Sequence, residues 1–391
     1  MSATLARPSG SGVAKRLGRV DWLLLGAVLA LLVLGTLLVW SATSARLIRL
    51  GGDPTFFLSK QLVNVTIGLV LMVVVTAVDH RWLRLLTPLV YVASLVGLGL
   101  VLAMGSTING SRSWIVVGGM SIQPAEFAKV AVIVTMALWV AERAEGAWRQ
   151  QLGWSDLIGL LSIAAVPCAL ILLQPDLGTM LVLLLSTFGV IAIAGASRGW
   201  LLALPVAGLA AVFVAVQQGM LKAYQLDRFL AFIDPTLDPR GAGYNVAQAR
   251  IAIGNGQLTG QGLFAGSQTR SGFVPEQHTD FIFTVAGEEL GFIGGALLIL
   301  LLAVVVWRAL SIAVHAQDLF GRVAAAGIAC WFGIQGFWNI GMCLNIMPVT
   351  GVPLPFVSYG GSSLFAVMIA VGLLQNIHLR AVPGWATSVR R

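Results

Sequence analysis

Charged side chains are scarce in this sequence. Asp and Glu number 16 and Lys and Arg 24 among 391 residues, so 10% are charged, where soluble chains carry about a quarter. That is too little charge to cover a water-facing surface, and hydrophobic residues make up 58% of the chain. A soluble globular domain is excluded. Cysteine is nearly absent: Cys168, Cys330 and Cys343 sit in or beside apolar runs without motif spacing. This excludes a disulfide framework and implies free buried thiols. No ATP-binding motif and no internal repeat is present. The net charge of +8 is dispersed along the chain rather than gathered in one module, so nucleic acid is not an implied partner.

What the chain does have is long apolar runs. A bilayer core takes about 20 apolar residues per helix. Ten stretches qualify: 22–40, 63–78, 84–104, 125–140, 157–173, 177–195, 199–216, 281–306, 323–344 and 362–379. The implied fold class is an all-α integral membrane protein of about ten transmembrane helices. Lys and Arg collect in the tails and short loops of one side, while the other side's basic residues lie mostly in one long loop, which crosses regardless of charge. An even number of spans then places both termini in the cytoplasm. Lys15, Arg16 and Arg19 precede the first run as in a signal peptide, but its length and the nine runs that follow indicate an uncleaved anchor. The chain divides into a basic cytoplasmic tail (1–21), a polytopic membrane domain (22–380) and a second cytoplasmic tail (381–391). One long extracytoplasmic loop, 217–280, joins the seventh and eighth spans. Its glycines and prolines argue against a single long helix; short interfacial helices are expected, with Leu221, Tyr224, Phe229 and Phe232 available to the headgroup region.

Ionisable residues at membrane depth are expensive and mark function. Glu126 and Lys129, three apart in the fourth span, share a helix face and form either a structural ion pair or a site in which Lys129 faces a polar cavity and holds an anionic substrate. Arg112, in the polar turn Asn109-Gly110-Ser111-Arg112-Ser113-Trp114, suits phosphate recognition or lipid contact. Asp176, between two spans, reads as a helix N-cap or as part of a site. Asp280 ends the long loop at the membrane boundary, where partial desolvation suits a carboxylate that accepts a proton from a hydroxyl; a plain helix cap is the alternative. His278 lies two residues before it, and His278 with Asp280 does not complete a four-ligand zinc site. Glu288 and Glu289, adjacent in an apolar run, require polar partners. Ser358 and Ser362 belong to a Gly/Ser segment whose backbone amides suit an anion nest or an N-cap. Gln335 and Asn339, four apart, suit interhelical hydrogen bonds.

Five of these segments, in this order and spacing, resemble the SEDS (shape, elongation, division and sporulation) family. They are 109–114, Gln123-Pro124-Ala125-Glu126 with Lys129, 174–179, 275–283 and 358–363. The resemblance spans nearly the whole chain past the basic tail. The run 272–280 and the turn Met347-Pro348-Val349-Thr350-Gly351 look most like the family's elongation branch, RodA, rather than its division branch. The resemblance implies a peptidoglycan glycosyltransferase of the bacterial cytoplasmic membrane. It would polymerise lipid II at the extracytoplasmic face, with Asp280 at the essential position. Its implied partners are a class B penicillin-binding protein and other elongation-complex proteins within the membrane lipid. A divalent cation (Mg2+ or Mn2+) bridging Asp280 and a pyrophosphate is compatible with this chemistry, although no ligand cluster demands it. A lipid II flippase and a non-catalytic scaffold that activates a penicillin-binding protein are the rival readings.

Overall fold

The computed structural model describes residues 19–108, 111–117, 120–143, 152–219, 232–234, 238 and 241–381, without the side chains of 107, 108, 111, 112, 117 and 120. Most of both expected tails, and the loop residues Leu221, Tyr224 and Phe229, lie outside the described residues.

The molecule is a helical bundle whose helices run back and forth between two ends. Helices α1 (Trp22–Arg49), α2 (Phe56–Ala77) and α3 (His80–Met104) come first, then α4 (Pro124–Arg143), α5 (Trp154–Leu173), α6 (Leu177–Ile193) and α7 (Arg198–Gln217). After the long connection come α8 (Ala242–Asn255), α9 (Ser267–Ser271), α10 (Ile282–Glu289), α11 (Gly291–His315), α12 (Leu319–Cys343) and α13 (Gly361–Ala381). Among the described residues nine helices are long and apolar enough to cross a membrane. The sixth expected span, α6, has only 17 residues, about 25 Å at 1.5 Å per residue, short of a 30 Å core.

Burial sorts these helices. The best windows of α4, α12 and α13 are 78, 67 and 72% buried, whereas that of α7 is 0% buried, with Trp200 and Leu204 packed against the core. With lipid as apolar as leucine, burial here follows packing and polar pairing rather than a hydrophobic drive. The helices that carry Glu126, Lys129, Gln335 and Asn339 are accordingly central. At the end of the bundle that holds Asp21, Arg308 donates two hydrogen bonds to the buried Asp21 carboxylate, and Gln375 brackets the Asp21 backbone, tying the first helix to α11 and α13.

Two expectations are corrected. The expected fold class is all-α, but the polar segment around residue 111 is part of a sheet: β1 (Ser106–Ile108), β2 (Ser111–Val117) and β3 (Met120–Ile122) are antiparallel in the order β1-β2-β3. The fold is therefore not purely helical. Its β-branched run Ile115, Val116, Val117 favours extended backbone, with Ile115 paired to Ile122.

The eighth span does not run from 281 to 306. It breaks at Gly291, whose φ of +66° no side-chain-bearing residue readily adopts, leaving α10 separate from α11. The cause is chemical. Glu288 and Glu289 need donors, and the long connection and α1 supply them. Glu288 accepts from the backbone N–H groups of Gln268 (2.7 Å) and Thr269 (2.8 Å) and from the hydroxyls of Ser267 and Thr269, and Glu289 accepts from the Ser41 hydroxyl at 2.6 Å. In return Gln257 and Leu258 accept the amides of Phe292 and Ile293, which the start of α11 would otherwise leave orphaned. The described part of the long connection is thus built onto the bundle rather than draped over it.

Candidate active site

The site is assembled where the β-sheet, the start of α6, the segment 344–360 and the turn before α10 meet. Its polar floor comes from two helices. On α4, Glu126 and Lys129 are both 1% exposed, and the Lys129 ammonium donates to Glu126 Oε1 and to Gln335 Oε1, each at 2.9 Å. Trp331, one turn before Gln335 on α12, donates to the same Gln335 oxygen at 2.6 Å, and its ring lies 5.1 Å from Lys129 Nζ. The Gln335 amide then donates to Pro353 O at 2.9 Å. Lys129 is enclosed by protein. The reading that it faces a polar cavity and touches an anionic substrate is not what this arrangement shows, because Glu126, Gln335 and the Trp331 ring surround the ammonium. One Glu126 oxygen, Oε2, is buried without a hydrogen-bond partner.

Above this floor the backbone of three consecutive residues is clamped. Tyr359 N–H donates to His278 O at 2.9 Å, the Ser358 hydroxyl donates to Thr279 O, and the Asn339 amide donates to Asp280 O at 2.7 Å. The same Asn339 nitrogen reaches Val352 O at 2.7 Å. Gln335 and Asn339 therefore bond mainly to the connecting segment, with Lys129 their one link to a neighbouring helix. The Asp280 carboxylate lies beside Gly351, where an added Cβ would stand 3.2 Å from Oδ2 and where φ is +75°. Across the same turn, a Cβ at Gly178 would stand 2.5 Å from Thr350 O, so the first turn of α6 abuts the turn that carries Gly351.

Asp176 is the N-cap of α6. It accepts from Thr179 N–H at 3.0 Å and the Thr179 hydroxyl at 2.8 Å, and also from the Gln123 side chain at 2.8 Å. Gln123 N–H in turn donates to Ser362, whose hydroxyl donates to Ser121 O. Both serines are thus committed to backbone: Ser362 to the sheet-to-α4 junction, Ser358 to Thr279 O and, as acceptor, to Leu354 N–H at 2.8 Å. They position the site. His278 stacks edge-on with Phe57 of α2 (5.1 Å between centroids) and lies 5.6 Å from the Tyr359 ring. Burial holds the His278 pKa below its ordinary value; the nearby Glu276 raises it and Arg46 lowers it. Arg112 stands in β2 opposite Thr107; its side chain, with Asn109 and Gly110, lies outside the described residues. Among the described residues no three His, Cys, Asp or Glu side chains converge as a metal site would require.

Sequence reasoning missed Gln123 as the partner of Asp176, Trp331 as the lid over Lys129, and Gly351 beside Asp280. The i, i+4 spacing of Trp331, Gln335 and Asn339 was the available signal for the second.

Residues 21–382 match a family model described as cell cycle protein, FtsW/RodA/SpoVE. The chain belongs to this SEDS family. It is 38% identical over 362 residues to stage V sporulation protein E of Bacillus subtilis (strain 168), covering 91% of this chain and 96% of that one. It is 37% identical over 360 residues to peptidoglycan glycosyltransferase MrdB of Escherichia coli (strain K12), covering 92% and 93%. Among solved structures it resembles a chain of one described as structural coordination of polymerization and crosslinking by a peptidoglycan synthase complex. There the TM-score is 0.75 at 33% identity, covering 93% of this chain and 99% of that chain. Near-equal identity to a sporulation protein and to MrdB means that overall similarity does not separate the SEDS branches.

Proposed function

We propose that this SEDS protein is an inverting peptidoglycan glycosyltransferase of the elongation branch. It polymerises lipid II into β-1,4-linked glycan at the outer face of the bacterial cytoplasmic membrane. The observation that carries the reading is the clamp on residues 278–280: three separate donors fix the backbone on which Asp280 stands. A general base acts only when held within hydrogen-bond reach of its proton, and rigid support supplies that. A helix cap would not need it, and Asp280 is not the N-cap of α10, a place taken by Phe281.

In this mechanism Asp280 accepts the proton of the acceptor GlcNAc 4-hydroxyl as that oxygen attacks the donor anomeric carbon. The bond to undecaprenyl pyrophosphate breaks in line, and the α-linked donor becomes a β-linkage. The leaving group calls for cationic donors; Arg112, in the sheet at this end of the bundle, is the residue we assign. Lys129 acts at one remove, through Gln335 and Pro353, on the segment that carries Gly351. The names of the relatives support glycosyl transfer, and the turn 347–351 supports the elongation branch. The complex described for the structural relative supports a class B penicillin-binding protein as partner. That partner would meet the lipid-facing helices away from Gly294 and Gly295, which pack inward against Leu290 and Phe283.

The deciding test uses the purified chain, a partner with an inactivated transpeptidase, and labelled lipid II in detergent, where transport leaves no signal. Long glycan is expected from the wild type. Asp280→Asn should lower polymerisation by at least about 10²-fold with little change in unfolding temperature. Equal polymer from both proteins, or none from either while liposomes show lipid II crossing the bilayer, would replace the enzyme with a flippase.

A further inference from the structure

Beside the clamp, and separate from it, lies a cleft of about 980 Å³ between the end of α1 and the α9 region. Its floor is apolar, formed by Trp40, Ile48, Pro54 and Phe264, with Trp40 and Phe264 in edge-to-face contact at 4.8 Å. Its rim carries Arg49 and Arg270, both exposed. Arg49 spends one nitrogen on Ser271 O at 3.3 Å, and no ion pair ties either arginine to a carboxylate among the described residues. Arginines in the last turn of α1 also complement its helix dipole, which accounts for Arg49 but not for Arg270, on a different element facing the same space. Two unneutralised guanidinium groups over an aromatic and aliphatic floor match an amphiphile with a phosphate head and an apolar tail.

We propose that this cleft binds the phosphate-bearing head of a membrane lipid, bridging Arg49 and Arg270 while the chain enters along Ile48 and Phe264. The occupant we assign is an anionic phospholipid, because Arg49 lies at the end of a membrane-spanning helix, at headgroup depth, where phospholipid phosphate is the abundant anion. The proposal stands whether or not the chain is a polymerase. Its position gives it a consequence: α9 is anchored at its start by Glu288 and runs on through Gly272 to the turn that ends in Asp280, so a lipid bridging α1 to α9 holds one flank of that turn.

The test is native mass spectrometry and thermal shift on the full-length chain in non-ionic detergent. It is titrated separately with undecaprenyl pyrophosphate, phosphatidylglycerol and a phosphate-free diacylglycerol. Arg270→Gln is the main variant, because no hydrogen bond of its side chain among the described residues is lost; Arg49→Lys keeps the charge without the planar fork. Phosphatidylglycerol should bind the wild type, weaken by about tenfold or more in Arg270→Gln, and weaken less in Arg49→Lys. Undecaprenyl pyrophosphate binding more tightly than phosphatidylglycerol would make the cleft part of the substrate path and overturn the proposal. Diacylglycerol binding as tightly as both, or phosphate-lipid binding unchanged in Arg270→Gln, overturns the proposal. Polymerisation by wild-type protein is scored in parallel, so that a failed lipid site and a failed enzyme reading give different results.

Discussion

A lysine that is 1% exposed inside an apolar bundle is tolerable only because every direction around it is answered. Lys129 has a carboxylate and an amide oxygen at 2.9 Å and an aromatic face at 5.1 Å. Removing it alone leaves Glu126 buried and uncompensated. Lys129→Met should therefore destabilise the chain by about 3–5 kcal/mol, and the double variant Glu126→Gln/Lys129→Met should regain most of that. Thermal unfolding in detergent measures both; a single variant as stable as the double would show that the pair is not coupled. His278 makes a second residue-level prediction. Its pKa is held below the ordinary 6.5 by burial, so the unfolded chain takes up the proton first as pH falls. The contribution is complete above about 6.5 and is lost as pH drops through the lower folded value. Melting temperature should fall between pH 7.5 and 5.5, and His278→Phe, which keeps a ring against Phe57 and Tyr359, should flatten that fall.

The elements around the site depend on backbone packed against backbone. Past α8, Gly260 adopts φ +83°, and a Cβ there would lie 2.1 Å from Glu289 O. Gly254, inside α8, has nothing within 4 Å of such a position. Gly260→Ala should destabilise the protein by about 1–3 kcal/mol through strain and overpacking. Gly254→Ala should be neutral or stabilising by up to about 1 kcal/mol through helix propensity. Equal unfolding temperatures for the two variants would contradict the close docking of this connection on α10. The break at Gly291 belongs to the same logic: two glutamates turned toward loop amides hold α10 as a short helix, so a run that reads as one continuous span is divided.

For the whole molecule, the alternation of helix direction puts the sheet, the α8–α10 region and the 344–360 segment at one end, and the 316–318 turn at the other. Together with the distribution of Lys and Arg, this supports the proposed placement of the clamp on the outside of the cell. A membrane-impermeant maleimide applied to intact spheroplasts should label Gln257→Cys and leave Gln317→Cys unlabelled until the membrane is opened, both positions being exposed. The reverse pattern would put the site in the cytoplasm, where glycan cannot be added to the wall, and would end the proposed function.

Composition alone determined that this chain lives in lipid, because 10% charge cannot clothe a soluble surface. Apolar run length located most of the long helices to within about two turns, the first and eighth runs excepted, and the order of five polar segments identified the family. The sequence also marked Glu126, Lys129, Asp176 and Asp280, since charge beside apolar runs is conspicuous wherever it occurs. Their use was decided only by tertiary structure. Asp176 is a cap because Thr179 and Gln123 converge on it, and Lys129 is enclosed because Gln335 and Trp331 approach from another helix just over two hundred residues later. Asp280 stands on a clamped backbone because Asn339, Ser358 and Tyr359 return to it from beyond α11. Periodicity and local propensity carry information over a few residues, whereas these partners, Thr179 apart, come from 53 to 206 positions away, a distance over which only the packed fold brings them together.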